Sequence, residues 1–347
     1  MGRNAGHTGL TQTLRGAYIR VMMFGGRHSS SGRAAEARIS TLPIDFMFDP
    51  HWTRVSNGLI QRHFDAEEIS RLSRKDRDYA YRVVANLDCP ITSEQASRWY
   101  VQAPSGITAG LAGAAKVRDA KLIRAGRRLF EMSEDESQRY QAKLADADAL
   151  LVNATVKYPH EVLAWIPRID VARGLQKGLP AIKRLFSEAQ AREQWHFLAC
   201  EAAIEGHTVR WGGSYAALFE FAVDAMAAPA GHPARSLVAF AEAERMTWDR
   251  NMATSVMPAR ADIDFHAQFG AYVRNLPDDL DPNDVIGLGA WLYVITPRDE
   301  RDARYVIQAL ELLKGRGGGY PYSSLNDPVA WHRRVLAQRE DEAVAFL

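Results

Sequence analysis

The sequence predicts an all-α protein, a solenoid of stacked helical hairpins with degenerate repeats. Three observations carry that expectation. From residue 60 onward apolar residues recur at three- and four-residue steps, the spacing of one helix face. Glycine and proline break the pattern at short intervals, at Pro90, Pro104, Pro159, Gly174, Gly206, Gly212-Gly213, Pro229, Pro258, Pro277 and Pro297. Strand-like runs are scarce. Leu292-Tyr-Val-Ile295 is β-branched and aromatic, yet it sits in helical context. Short helices joined by short turns, without intervening strands, describe a helical array.

Each element follows from local chemistry. Asp65 with Glu68 three residues on forms a capping box, and Ile69, Leu72, Tyr79, Val83 and Leu87 continue one face until Pro90 stops the helix. A short helix spans about Ser93 to Ala103. A third runs from Gly106 to about Phe130, and its small residues Ala109, Gly110, Ala112, Gly113, Ala114 and Ala115 predict a close helix crossing. Ser133-Glu-Asp-Glu136 is a second capping box, followed by Tyr140, Leu144, Ala147, Leu151, Ala154 and Tyr158. The next helix, His160 to Ala172, contains Pro167, which predicts a kink or a split. Further helices are expected near 179–190, 193–206, 214–227, 233–249, 261–275, 283–294, 299–314 and 327–343.

The spacing within this series echoes the tetratricopeptide repeat. Pro159 is followed by Trp165, then by Ala181, Leu185, Phe186 and Ala189, and Trp195 stands thirty residues after Trp165. Ala217, Phe221 and Ala225 before Pro229 give a partial second copy. The fold class expected is therefore all-α, a degenerate tetratricopeptide-like α-solenoid. The chain divides into a flexible or mis-started tail over 1–40, an N-terminal helical region over 41–104, and the array over 105–345. The tail carries six arginines, one acid and the triplet Ser29–Ser31, the composition of an organellar transit peptide. A plain flexible tail, or a start at Met22, Met23 or Met47, is the simpler account.

Composition narrows the function classes. The chain has 347 residues, 47% hydrophobic, and 43 Lys+Arg against 42 Asp+Glu, so a dedicated basic nucleic-acid binder is not expected. Two cysteines, Cys89 and Cys200, cannot make a disulfide framework or a four-cysteine zinc site, and reduced thiols in a cytoplasmic protein are expected. No stretch nears the roughly 20 apolar residues of a membrane span, so no membrane partner is expected.

The run Gly206-His-Thr-Val-Arg-Trp-Gly-Gly-Ser214 resembles the turn before a helix in an uncharacterised bacterial family of tetratricopeptide-like proteins, catalogued as a domain of unknown function. Supporting stretches are Ser133 to Leu151, Val171-Ala-Arg-Gly-Leu175, Ala230-Gly-His-Pro-Ala-Arg-Ser-Leu237 and Gly319-Tyr-Pro-Tyr322. The resemblance covers roughly residues 100–335 and departs in the N-terminal tail and the polar 251–264 segment. It implies a helical array and carries over no catalytic residue.

His196 and Cys200 stand four apart on an expected helix, with His207 beyond, a spacing a metal site uses, but the flanking Trp195, Phe197, Leu198 and Ala199 read as core. Asp262, Asp264 and His266 suit capping better than cation binding. Gly315-Arg-Gly-Gly-Gly319 follows a helix, not a strand, and reads as a helix stop. Trp211-Gly212-Gly213-Ser214 reads as an interhelical turn with Ser214 as N-cap, or as the rim of a ligand groove. Lys116, Arg118, Lys121, Arg124, Arg127 and Arg128 form a basic stretch that Glu131, Glu134, Asp135 and Glu136 neutralise. The expected function is a non-catalytic adaptor that holds a protein or peptide partner in its groove, with Trp195, His196, His207, Arg210 and Trp211 as the residues of interest and no cofactor or metal. The alternative is a hydrolase-like enzyme, which requires residues such as His160, Asp170, His196, Glu201, His207 and Arg210 to converge in a cleft.

Overall fold

The computed structural model describes residues 50–313, apart from Arg62, Asp88, Gly126, Arg128 and residues 253–261, together with 340–343 and Ala345. Residues 1–40, the Gly315–Gly319 loop, Gly319–Tyr322 and most of the helix expected near 327–343 lie outside the described residues. Every regular element among the described residues is a helix. They are α1 (Pro50–Ile60), α2 (Ala66–Ser70), α3 (Arg74–Ala85), α4 (Ser93–Gln102), α5 (Gly106–Arg124), α6 (Glu134–Lys157) and α7 (Ile166–Gly174). There follow α8 (Leu179–Arg192), α9 (Phe197–His207), α10 (Tyr215–Asp224), α11 (Leu237–Met252), α12 (Phe265–Arg274), α13 (Pro282–Val294) and α14 (Glu300–Leu313).

Both capping boxes form: Asp65 and Ser133 accept from the amides of Glu68 and Glu136, whose side chains reach back to the cap amides. The expected single helix after Asp65 is two, because Ser73 caps a new start by accepting from the Asp76 amide. The helix from Gly106 ends at Arg124, where Ala125 takes a left-handed conformation, and a 3₁₀ turn over Leu129–Glu131 follows. Pro167 splits its helix as anticipated. A 3₁₀ turn at Val162–Ala164 precedes α7, whose first turn holds the proline where no N–H is needed. The helix expected from 193 starts at Phe197, because Trp195 adopts a φ of 59° and turns the chain. Leu292 to Val294 close α13 as helix, not strand.

The helices alternate in character. α3, α5, α7, α9, α11 and α13 pack in series, each on the next. Between them lie α4, α6, α8 and α10, which bury one face and expose the other. In α5 every residue from Gly106 to Ala115 is buried. A Cβ on Gly110 would lie 2.8 Å from the Leu163 carbonyl carbon and oxygen, so the crossing there needs glycine. One apolar core runs from Val55 in α1 to Leu313 in α14 and through the 104/105 boundary, with a satellite around Tyr140, Leu144 and Leu151.

The series curls back on itself. Arg82 of α3 donates from Nη2 to Glu201 of α9 at 2.6 Å and from Nε to Asn283 of α13 at 3.1 Å. Arg77 of α3 reaches Glu161 and Glu193, and Asp78 meets His196. In an open array each repeat touches only its neighbours. Here the polar face of α3 ties the beginning of the row to its middle and its end.

Candidate functional site

Two acids four residues apart share a helix face. In α9 these are Glu201 and Glu205, set in the otherwise apolar run Phe197–His207. In α11 Phe240 and Glu244 have the same spacing. Between the two helices, and closed on one side by Leu218 of α10, lies a small cleft that opens to solvent. Its wall is apolar, from Ile204, Leu218 and Phe240. Its polar groups are the three carboxylates, the Thr208 hydroxyl and the Arg210 guanidinium.

The turn after α9 sets the mouth. Val209–Trp211 is a 3₁₀ turn, closed by Gly212 at a φ of 84°. A Cβ on Gly213 would lie 2.1 Å from the His207 carbonyl oxygen, so this glycine too is required. Ser214 then caps α10 by accepting from the Ala217 amide at 3.1 Å, as its position in the sequence predicts. The turn directs Arg210 over the cleft, with Nη2 3.4 Å from Glu244 Oε2. It sends Trp211 the other way, between Arg124 and Arg173, whose guanidinium carbons lie 4.6 and 5.2 Å from the ring centroid.

Behind the carboxylates is a buried ionic layer. Arg173 of α7 pairs with Asp170 at 2.7 Å and with Glu205, and Lys121 of α5 reaches Asp170 at 3.0 Å. Burial alone would raise the Asp170 carboxyl, but Lys121 and Arg173 outweigh it and hold it below the usual carboxylate range. Glu201 goes the other way: burial raises its carboxyl, and Arg82 offsets only part of that. Tyr81, enclosed by the same charges, is pushed well above the ordinary phenol value, chiefly by burial and next by Asp170.

The five residues singled out from sequence do not form one site. Trp195 and His196 stand at the start of α9, and His207, Arg210 and Trp211 at or beyond its end, about 15 Å away at 1.5 Å per residue. His196 precedes α9 rather than lying within it, so it does not share a helical face with Cys200. Its Nε2 is 3.1 Å from Asp78. His207 is fully buried, stacked on Phe221 at 4.5 Å, with Nδ1 2.9 Å from the Ala203 carbonyl oxygen. Burial lowers its imidazole, which favours the neutral form. Of the five, only Arg210 lines the cleft. Cys200 is buried as well, which pushes its thiol far up and makes it a poor nucleophile. Part of the basic stretch is held internally: on α5 Arg118 donates to the Val84 and Ile91 carbonyls and Lys121 holds Asp170, and beyond it Arg127 holds Glu136.

No family model matches the chain, and no curated protein or solved structure does. Of the residues considered for catalysis, Glu201 and Arg210 line the cleft and Asp170 lies behind it, while His160 is exposed after α6 and both other histidines lie elsewhere. The one hydroxyl in the lining, Thr208 Oγ1, donates to the Glu205 carbonyl at 2.7 Å with no base to activate it. Among the described residues no group of three or more His, Cys, Asp or Glu is arranged to hold a metal ion. Also among them, no helix is long and apolar enough to cross a membrane. Sequence reasoning passed over Glu205, Leu218, Phe240 and Glu244. The legible signal was the pair of acids four apart in an otherwise apolar helix.

Proposed function

We propose that this chain is a non-catalytic cytoplasmic adaptor that holds a segment of a partner protein in the cleft between α9 and α11. Its scaffold, in this reading, is a degenerate tetratricopeptide-like row of helical hairpins, curled so that α3 meets α13, in keeping with the bacterial family it resembles. The observation that supports binding over hydrolysis is the pairing of the cleft carboxylates. Glu201, Glu205 and Glu244 each face an arginine, Arg82, Arg173 and Arg210 respectively, so none stands poised beside a nucleophile. An apolar wall ringed by satisfied polar groups is the anatomy of a side-chain pocket at an interface.

The test is selection from a displayed random-peptide library against the intact chain and against Leu218→Arg, which fills the apolar wall with a charge. Peptides enriched on the native chain and lost on the variant are expected, with helical circular dichroism retained. Identical enrichment on both proteins would remove this cleft from the function.

A further inference from the structure

Three carboxylates line the cleft between α9 and α11, yet the surface it presents to solvent is mostly apolar. Ion pairing accounts for the difference. Glu201 is held by Arg82 at 2.6 Å and Glu205 by Arg173, and neither arginine lines the cleft. Glu244 is buried and meets Arg210 at 3.4 Å. With these charges engaged, a small recess of carbon remains, walled by Ile204, Leu218 and Phe240. Each class of entering group fares differently there. A cation has to take a carboxylate from an arginine that already holds it, and an anion meets three carboxylates against one arginine in the lining. A neutral polar group gives up water for carbon without a new partner. A small aliphatic group loses nothing on entry and removes apolar surface from water.

Arg210 supplies the second half of the site. It is carried on the turn that Gly212 closes after α9, and its side chain is 37% exposed. Among the described residues its sole hydrogen-bond or ion-pair contact is the long one from Nη2 to Glu244. Nε and Nη1 therefore keep their N–H groups for a ligand. Resting on the adaptor reading, we infer that the cleft takes the end of an aliphatic side chain, leucine in type, from an internal stretch of the partner, while Arg210 donates to a main-chain carbonyl oxygen of the same stretch. Arg210 keeps Glu244 as it does so, because the guanidinium has donors to spare. It is a positioning residue: the recess selects the side chain, and Arg210 satisfies the carbonyl that loses water as the peptide settles across the mouth.

The probes are blocked tripeptides, N-acetyl-alanyl-leucyl-alanine amide and its counterparts with lysine or glutamate in the middle. Binding is followed by methyl shifts of Ile204 and Leu218 in nuclear magnetic resonance titrations of the full chain. The leucine peptide is expected to bind at least about tenfold more tightly than either charged one, with little change as salt is raised. Arg210→Ala is expected to weaken it roughly threefold to tenfold, the worth of one hydrogen bond. Arg210→Lys, which keeps a donor, is expected to recover most of that loss. Unshifted methyl signals with the leucine peptide, charged peptides that bind as well, or Arg210→Ala that binds like the native chain would overturn the inference. The two readings fail separately. If the peptides selected through Leu218 share a charged residue, the aliphatic assignment falls and the adaptor stands, whereas no Leu218-dependent peptide at all would remove both.

Discussion

Arg173 is the keystone of the layer behind the cleft, and replacing it with methionine tests how that layer works. The guanidinium is 5% exposed and pairs with Asp170, itself 10% exposed, and with Glu205, 44% exposed. Methionine keeps most of the apolar stem, so the loss is mainly electrostatic. Asp170 keeps Lys121 but gives up one charge-assisted bond, about 1.5–3 kcal/mol. Glu205 returns to water and costs roughly 0–1 kcal/mol, the scale of an exposed pair. The Trp211 ring loses one of its two cations, about 0.5–1 kcal/mol. The expected destabilisation is therefore about 3 kcal/mol at neutral pH, read from urea unfolding followed by helical circular dichroism. It has a pH signature. Asp170 titrates below its unfolded value, so its contribution is present above the ordinary carboxylate range and is lost as pH falls through the depressed value. The variant has less of that contribution to lose, so the gap to the native chain narrows below about pH 4. A variant as stable as the native chain at pH 7 would refute the claim that Arg173 holds two carboxylates together.

Other expectations concern the core. Gly110→Ala gains roughly 1 kcal/mol of helix propensity but sets a methyl against the Leu163 backbone, an overpacking cost of about 1–3 kcal/mol. A net loss of stability in the same unfolding assay is expected, and an unchanged or raised midpoint would show that the crossing has slack. His207 has a lowered folded value, so the unfolded chain takes up its proton first and stability falls as pH drops below about 6.5. His207→Leu is expected to flatten that fall over the same range, and unfolding free energies that run parallel for both proteins would contradict the burial argument. Cys200, fully buried, is expected to resist a thiol-reactive disulfide reagent until the chain unfolds, while the half-buried Cys89 reacts first. Mass-spectrometric mapping of the labelled site decides the order.

The helices were legible because their signals are local. Asp65, Ser133 and Ser214 announce helix starts through side-chain oxygens that reach amides three residues away, and Pro167 announces a break wherever it falls. The small residues of α5 announced a close crossing but not its partner, since Gly110 meets Leu163 and Gly113 meets Leu151 across stretches that sequence spacing leaves open. Trp195 misled for a physical reason. A tryptophan at a φ of 59° is rare, and nothing in its neighbours signals it, so the apolar pattern predicts a start for α9 four residues too early. The cleft was the least legible feature. Its lining comes from positions 201 to 244 on three helices and the turn after α9, and no local signal shows which faces of those helices meet.

The carboxylates of the lining explain why the opening lies between α9 and α11. Of the successive pairs in the buried row, these two make the slightest contact. Their facing surfaces carry Glu201, Glu205 and Glu244, which cannot be pressed into apolar contact without losing solvation. The chain could have placed leucine or alanine at these positions, as it does along α5 and α13, and the row would have sealed. It instead keeps three carboxylates there and commits a part-buried arginine from α3 and a buried one from α7 to holding two of them. Buried ion pairs are seldom better for stability than apolar residues of similar volume. A row that packs apolar side chains along most of its described length, but opens between α9 and α11 where ionic groups converge, has traded packing for a recess there.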